Sequence, residues 1–534
     1  MKLCVRSLFL LCGFGCCAWA QSPPASWEQQ LVAVLAQVRE YRQPLLSKRA
    51  LDFSPPAVAQ RRALLEALRS RLGAMPWRTW TVPQQVDYLA VRAQLDALLF
   101  EYRRLRPWAR DPGLYVDVAR DLAFTPLPLR DGARDEFVIR ITALPGFLRH
   151  GKSQLTEAAG ELAKLALFNL ENPDGVGHGQ PYRSNPPAGV LGWYADLLDR
   201  ITQHEPALLP HARAAQAAVI DFHAWLQESL PRMRAPAGVD RLAYEWYLRH
   251  VHFEPYSADD VLRIGDREYD RAMAALAMEM RRNRSLPALA PAASEAEYKL
   301  RLEDADRHVR AFIAATGFMT IPAYVGRLGD NVPWIERAGG RRNFWEEVQY
   351  RDPLPDKVHA VIPGHRFDLR LHREDRRPIR GQVQNGSRVE GWGFYLEEAM
   401  MNAGLLDHRP RTRELFWIFL AARAVRNRAE IMLHTNQWTV DQAVDFMVKA
   451  VPFMDRDVAR VDCEIYLRQP TYGQNYLMGK IQIEQLLAER ALQLGEKFSL
   501  QDFHDQFLAA GLLPVSLIRW EITGRDDQIR RLIP

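Results

Sequence analysis

His-Ala-Val-Ile-Pro-Gly-His at residues 359 to 365, with Glu-Gly-Trp-Gly-Phe-Tyr-Leu-Glu at residues 390 to 397, is the part of this 534-residue chain that says most about its architecture and chemistry. Two imidazoles six positions apart and a carboxylate 25 positions later offer three nitrogen and oxygen donors. Such a set leaves the fourth position of a tetrahedral zinc open for water. On one helix, zinc-binding His residues stand four apart, because about 400 degrees of rotation returns them to one face. Six apart gives about 600 degrees, which leaves the rings about 120 degrees out of register. Pro363-Gly364 resolves this: Pro interrupts the helix and Gly lets the chain turn, so His365 is re-aimed towards His359. The seven-residue interval from Glu390 to Glu397 puts both carboxylates on one helical face. One can then bind metal while the other orients a His from behind. Peptidases of the His-Glu-x-x-His type also place a Glu directly after the first His, as proton acceptor; here that position is Ala360. The alternative is a structural Pro363-Gly364 turn, with both Glu paired to nearby Arg366, Arg370 or Arg373.

Outward from the motif, helical periodicity dominates. Val86, Leu89, Ala93, Ala97 and Phe100 recur at spacings of three and four, as do Leu415, Phe419, Ala422, Val425, Ala429 and Met432. Ser257 with Asp260 and Thr439 with Gln442 mark helix starts, each a hydroxyl followed three residues later by a side chain that reaches back. The expected fold is mostly α: a large helical, two-lobed molecule with a central cleft and a small β-sheet beside the His359 helix. The strand candidates are the apolar runs Met319 to Val325 and Phe344 to Tyr350, separated by the Gly-rich Gly326 to Arg342. Loops are expected at Asn172 to Pro187 and at Arg284 to Ser294. The second divides an N-terminal helical lobe, 21–290, from a C-terminal lobe, 291–534, that carries the motif. A cleft beside a sheet edge suits an extended peptide, which can add a strand there.

The chain's composition is that of a globular protein, 48% hydrophobic and 25% charged. Lys2 and Arg6, the apolar run Leu8 to Cys17 and Ala18-Trp19-Ala20 read as a signal peptide over residues 1–20, cleaved to begin the mature chain at Gln21. Export across the inner membrane to the periplasm follows. An acylated Cys16 or Cys17 is the lipoprotein alternative, but Gly13-Phe14-Gly15 lacks the aliphatic position expected before Cys16. Four of the five Cys lie in that segment, leaving Cys463 alone and no intrachain disulfide. Without Lys2 and Arg6 the formal charge falls from +5 to +3, too balanced to indicate nucleic acid as a partner. No later stretch approaches the ~20 apolar residues of a membrane span.

The combination of His359 to His365 with Glu390-Gly391-Trp392 and Glu397 resembles the bacterial domain of unknown function 885 family. Its usual pattern is His-Glu-x-x-Pro-Gly-His followed by Glu-Gly-Trp-Ala-x-Tyr-x-Glu. His434 with Trp438-Thr439 resembles a further segment of that family, and Tyr466, Pro470, Tyr476, Gly479 and Lys480 fall at its spacing. The resemblance covers most of residues 240 to 500. It implies a helical zinc metallopeptidase-like protein, with zinc held by His359, His365 and Glu390 and oriented through Glu397. It also implies a peptide substrate, His434 polarising the substrate carbonyl and Tyr466 or Tyr476 donating to the oxyanion. The chain departs from the pattern at Ala360, at Ile465 where an Arg is usual, and at Thr471-Tyr472 where Gly-Gln is usual. These departures keep a second expectation open, a cleft that binds peptide or cell-wall fragments without cutting. Glu346, Glu347, Glu397 and Glu398 are the candidates for a replacement base. His250 and His252 are expected to serve a loop.

Overall fold

The computed structural model describes residues 26–42, 53–130, 132–173 and 181–533; the segment read as a signal peptide and part of the Asn172 to Pro187 loop lie outside these. The described chain is a succession of helices. Among the described residues there is no β-strand, only an isolated bridge between Ala159 and Ala235. Both periodic stretches form helices, Val82–Phe100 and Pro410–His434. Both expected starts carry full capping boxes, at Ser257 with Asp260 and at Thr439 with Gln442.

The expected small sheet is absent, and local chemistry explains why. Phe344–Gln349 is a helix, because Asn343 accepts from the Glu346 amide while Glu346 reaches back to the Asn343 amide. This reciprocal cap outweighs the β-propensity of Phe344, Trp345 and Val348. Along Met319 to Val325, Pro322 offers no amide hydrogen, the Thr320 amide bonds the Asp505 carboxylate at 2.9 Å, and Ala323–Val325 closes a 3₁₀ turn. The Thr320 and Val325 amides are therefore satisfied without a ladder. Among the described residues no sheet edge stands beside the motif for a peptide to extend.

Two large cores, with two smaller ones beside them, organise the described residues. One is built by residues 115–233 alone. The other unites residues 31–109 with apolar side chains from Phe253 to Leu532, so the expected boundary near residue 290 falls within a shared core. There Ala258–Arg282, before the Pro-rich stretch, packs along Pro410–His434, after it. The other closely packed pair is Gly386–Asn402 against Tyr472–Leu494. Their backbones meet at two glycines: a Cβ on Gly391 would lie 2.5 Å from the Gly479 Cα, and one on Gly479 would lie 2.0 Å from the Ser387 carbonyl oxygen. Any side chain at either position would force the helices apart. This contact brings Glu390, on the first helix, towards Tyr472 and Tyr476, on the second.

Both helices are pinned at their starts. His252 Nδ1 accepts from Asn385, the N-cap of the first, and its Nε2 donates to the Thr471 hydroxyl, the N-cap of the second, at 3.0 and 2.7 Å. Glu430, on the long Pro410–His434 helix, accepts from the Gly473 and Gln474 amides at 3.0 Å each and from Tyr244. A carboxylate at a helix N-terminus satisfies free amides and complements the helix dipole.

Candidate metal centre

The motif is presented by a change of helical pitch followed by a reversal. Leu354–Asp356 is a short α-turn that widens into a π-turn at Lys357–Val361, carrying His359. Ile362 is extended, Ile362-Pro363 is cis, and the next helix begins at His365. Trp392 closes this reversal from the facing helix, its indole N–H donating to the Pro363 carbonyl at 3.0 Å. Gly364 contributes space: its φ is −76°, and a Cβ there would sit 1.8 Å from the His359 carbonyl oxygen. The reversal brings the two imidazoles into contact, ring centroids 4.6 Å apart and nearly perpendicular.

His365 Nε2 stands 3.1 Å from His359 Nε2 and 3.1 Å from Glu390 Oε2, and His359 Nε2 is 3.9 Å from the same oxygen. Two ligands at ~2 Å from a tetrahedral zinc lie about 3.3 Å apart, so these separations suit a common cation. Glu390 Oε2 is buried without an aligned hydrogen-bond donor. Its other oxygen accepts from the Tyr472 hydroxyl at 3.1 Å. The His359, His365 and Glu390 donor atoms all lie within 4.8 Å of one another, and no other such cluster occurs among the described residues.

Behind His359, Glu397 Oε1 faces Nδ1 at 2.7 Å and the Arg423 guanidinium at 3.0 Å. Burial pushes His359 well below the ordinary histidine range, and Arg423 and His365 add to it, so the ring is held neutral. A neutral ring with its proton on Nδ1, towards Glu397, turns the Nε2 lone pair to the metal position. Burial pushes the Glu397 carboxyl up to about 8 against the pull of Arg423. Burial also opposes protonation of His365, but the charge and hydrogen bond of Glu390, with the charge of Asp368, together raise the His365 value. Burial likewise opposes ionisation of Glu390, which His365, Tyr472 and Arg426 nonetheless hold below its ordinary range.

The three donors face a cavity of about 370 Å³ also lined by Val332, Trp345, Ala360, Ile465, Arg423 and Arg426. Tyr476 reaches this cavity, its ring parallel to that of His359 at 6.0 Å and its hydroxyl 3.0 Å from that of Tyr472. Tyr466 and His434 do not line it. His434 is fully buried, its Nε2 donating to the Tyr466 carbonyl at 2.9 Å, so it has no path to a substrate carbonyl. The Tyr466 hydroxyl is buried and meets no hydrogen-bond partner among the described residues. His252 serves the two N-caps, and His250 stands 3.4 Å from Arg92. Neither meets the metal position.

Each of the four glutamates considered as a replacement base is paired to a cation. Glu346 is bound by Arg337 at 2.8 to 3.1 Å, Glu347 by Arg351, Glu397 by Arg423, and Glu398 by Arg271 and Lys480. Sequence reasoning missed Asp356, Arg423, Arg426 and the contact of Tyr472 with Glu390. Asp356 carried a usable signal, since it precedes Ala360 by about one helical turn.

Residues 357–522 match the model of a family described as bacterial protein of unknown function (DUF885), a span that contains all three donors and Glu397. No curated protein matches the chain significantly. Solved structures of the same fold include a candidate lipoprotein of unknown function from Shewanella oneidensis, 16% identical with a TM-score of 0.71, the match covering 93% of this chain and 100% of that one. A candidate lipoprotein from Colwellia psychrerythraea is 15% identical with a TM-score of 0.68, covering 94% and 99%. At such identities the likeness is one of fold. No helix among the described residues is long and apolar enough to cross a membrane.

Proposed function

We propose that this chain is an exported zinc-dependent hydrolase of peptides, with His359, His365 and Glu390 as ligands. The observation that carries this reading is the convergence of His359 Nε2, His365 Nε2 and Glu390 Oε2 on one point of a cavity wall. A zinc ion held there would polarise a substrate carbonyl and make water acidic enough to ionise near neutral pH. The chain's own groups do the rest. Glu397 fixes the His359 tautomer and Tyr472 fixes the Glu390 carboxylate, while the Tyr476 hydroxyl, which donates to Tyr472 in this arrangement, is a cavity donor that would turn to negative charge developing on the carbonyl oxygen. Val332, Trp345 and Ile465 give the cavity apolar surface for a substrate side chain. In this reading the cavity is the floor of a cleft between two helical lobes. The segment 1–20 directs export with release into the periplasm; likeness to candidate lipoproteins makes anchoring through Cys16 or Cys17 the alternative.

The test is elemental mass spectrometry on protein purified from the periplasm without a metal-affinity tag, followed by incubation with a mixed peptide library. About one zinc per chain, with cleavage that stops on chelation and returns with zinc, is expected. A chain that takes up no metal even from added zinc overturns the assignment. Ala360 on the cavity wall favours a second reading, a site that holds peptides or cell-wall fragments without cutting. It predicts zinc-loaded protein that retains a peptide and returns it intact.

A further inference from the structure

The cavity lacks the glutamate that would follow the first histidine, but it does not lack a free carboxylate. Its acidic lining consists of Glu346, Asp356, Glu390 and Asp462. Glu346 is bound by Arg337, Asp462 by Arg426 at 2.9 Å, and Glu390 belongs to the donor set. Among the described residues Asp356 has no ion pair. Its hydrogen bonds come from neutral amides, Asn331 Nδ2 to Oδ1 at 3.2 Å and the Gln349 side chain. A residue as buried as this, 5% exposed, ordinarily pairs its charge.

Its place on the chain is equally specific. Asp356 closes the α-turn and Ala360 lies four residues on, in the π-turn. Four residues is about one turn, so both project from one face, and both line the cavity. Helical side chains lean towards the N-terminus, so a longer side chain at position 360 would lie over the turn that holds Asp356.

We propose that Asp356 is the proton acceptor of this site, replacing from the preceding turn the glutamate missing at position 360. This rests on the hydrolytic reading above. As the water oxygen bonds the substrate carbonyl carbon, one water proton passes to an Asp356 carboxylate oxygen. When the C–N bond breaks, that proton passes to the departing amine nitrogen, leaving Asp356 as carboxylate and the products as an acid and an amine. Burial raises the Asp356 carboxyl above its ordinary range, opposed by Gln349, Asn331, Arg423 and His365, which suits a group that both takes and returns a proton.

The test compares zinc-loaded wild type with Asp356→Asn by titrating acetohydroxamic acid at pH 6 in buffers of different ionisation enthalpy. The hydroxamic acid loses a proton on binding. Wild type keeps that proton on Asp356 and releases none to buffer, whereas Asp356→Asn releases about one. In parallel, Asp356→Asn should keep its zinc and lose about 10² to 10⁴ in kcat with KM little changed. Ala360→Glu should restore turnover in the Asp356→Asn background. Equal proton counts in the two proteins, or loss of zinc from Asp356→Asn, overturns the assignment of Asp356 while leaving the metal site standing. Wild type that binds neither zinc nor hydroxamate overturns the hydrolytic reading, and the assignment with it.

Discussion

Glu397 Oε1 lies 2.7 Å from His359 Nδ1 and 3.0 Å from the Arg423 guanidinium, so one carboxyl group couples the first imidazole of the motif to a buried cation. Glu397 and Arg423 come from helices, Gly386–Asn402 and Pro410–His434, that also frame the cavity. Glu397→Gln should therefore spare the three donors and still weaken zinc binding by about 10- to 100-fold, the usual cost of removing such an outer partner. Competition against a chromogenic chelator measures this. Unchanged affinity would mean that Glu397 serves the fold and not the histidine.

Gly393 faces the first histidine of the motif, and a Cβ there would come within 2.9 Å of His359 Cε1 and 3.0 Å of Nδ1. Two effects compete in Gly393→Ala. Helix propensity favours Ala by about 0.5 to 1 kcal/mol, while overpacking costs about 1 to 3 kcal/mol. Because His359 is boxed in by Glu397 and Tyr476, strain should win. Gly393→Ala should bind zinc more weakly than wild type and melt at a lower temperature. A variant that melts higher with full zinc affinity would show that the ring has room to move.

How much of this was legible can be traced residue by residue. The helical class was readable because Leu415, Phe419, Ala422 and Val425 repeat at helical spacing and all four are buried. Convergence of His359, His365 and Glu390 was readable because Pro363-Gly364 announces a reversal between the histidines. The sheet was misread because a capping box such as Asn343 with Glu346 spans only four residues and overrides an aromatic run that looks like a strand. His434 was misplaced because spacing carries no depth: nothing in a sequence separates a histidine facing a cavity from one donating to the Tyr466 carbonyl behind it. The pairing of each candidate glutamate with an arginine or lysine was hidden for the same reason, since Arg271 and Glu398 are 127 positions apart.

Arg388 and Asp368 tie the helix bearing Glu390 to the helix begun by His365. The guanidinium is fully buried, meets the carboxylate at 2.8 and 3.2 Å, and lies 4.4 Å from the centre of the Phe507 ring. Removing one partner strands a buried charge, which costs about 3 to 5 kcal/mol. Asp368→Asn should lower the unfolding free energy by roughly that amount in a urea titration monitored by circular dichroism. Its zinc affinity should fall as well, because the pair sets the register between His365 and Glu390. A loss below about 1 kcal/mol would place the pair among weakly contributing surface bridges.

Glu254 is buried beneath Gly386–Asn402 and Tyr472–Leu494, accepting from Ser387 and Gln482 with Oε1 while Oε2 meets no partner among the described residues. Burial pushes its carboxyl up to about 7 in the folded chain, from an ordinary value of 4.5. The folded state therefore binds this proton more tightly than the unfolded state. The stability it contributes is fully present below pH 4.5 and is lost as pH rises through about 7. Between those limits one such group makes stability fall by up to about 1.4 kcal/mol per pH unit. Glu254→Gln replaces the ionisable group by a neutral one and removes this component. Urea unfolding from pH 4.5 to 8 should show the wild type losing stability relative to Glu254→Gln across that interval, with the difference levelling off above pH 7 to 8. Parallel curves would mean that Glu254 ionises in the folded chain as readily as in the unfolded one, and that the Ser387, Gln482 and Asn475 cluster solvates a charge instead of a proton.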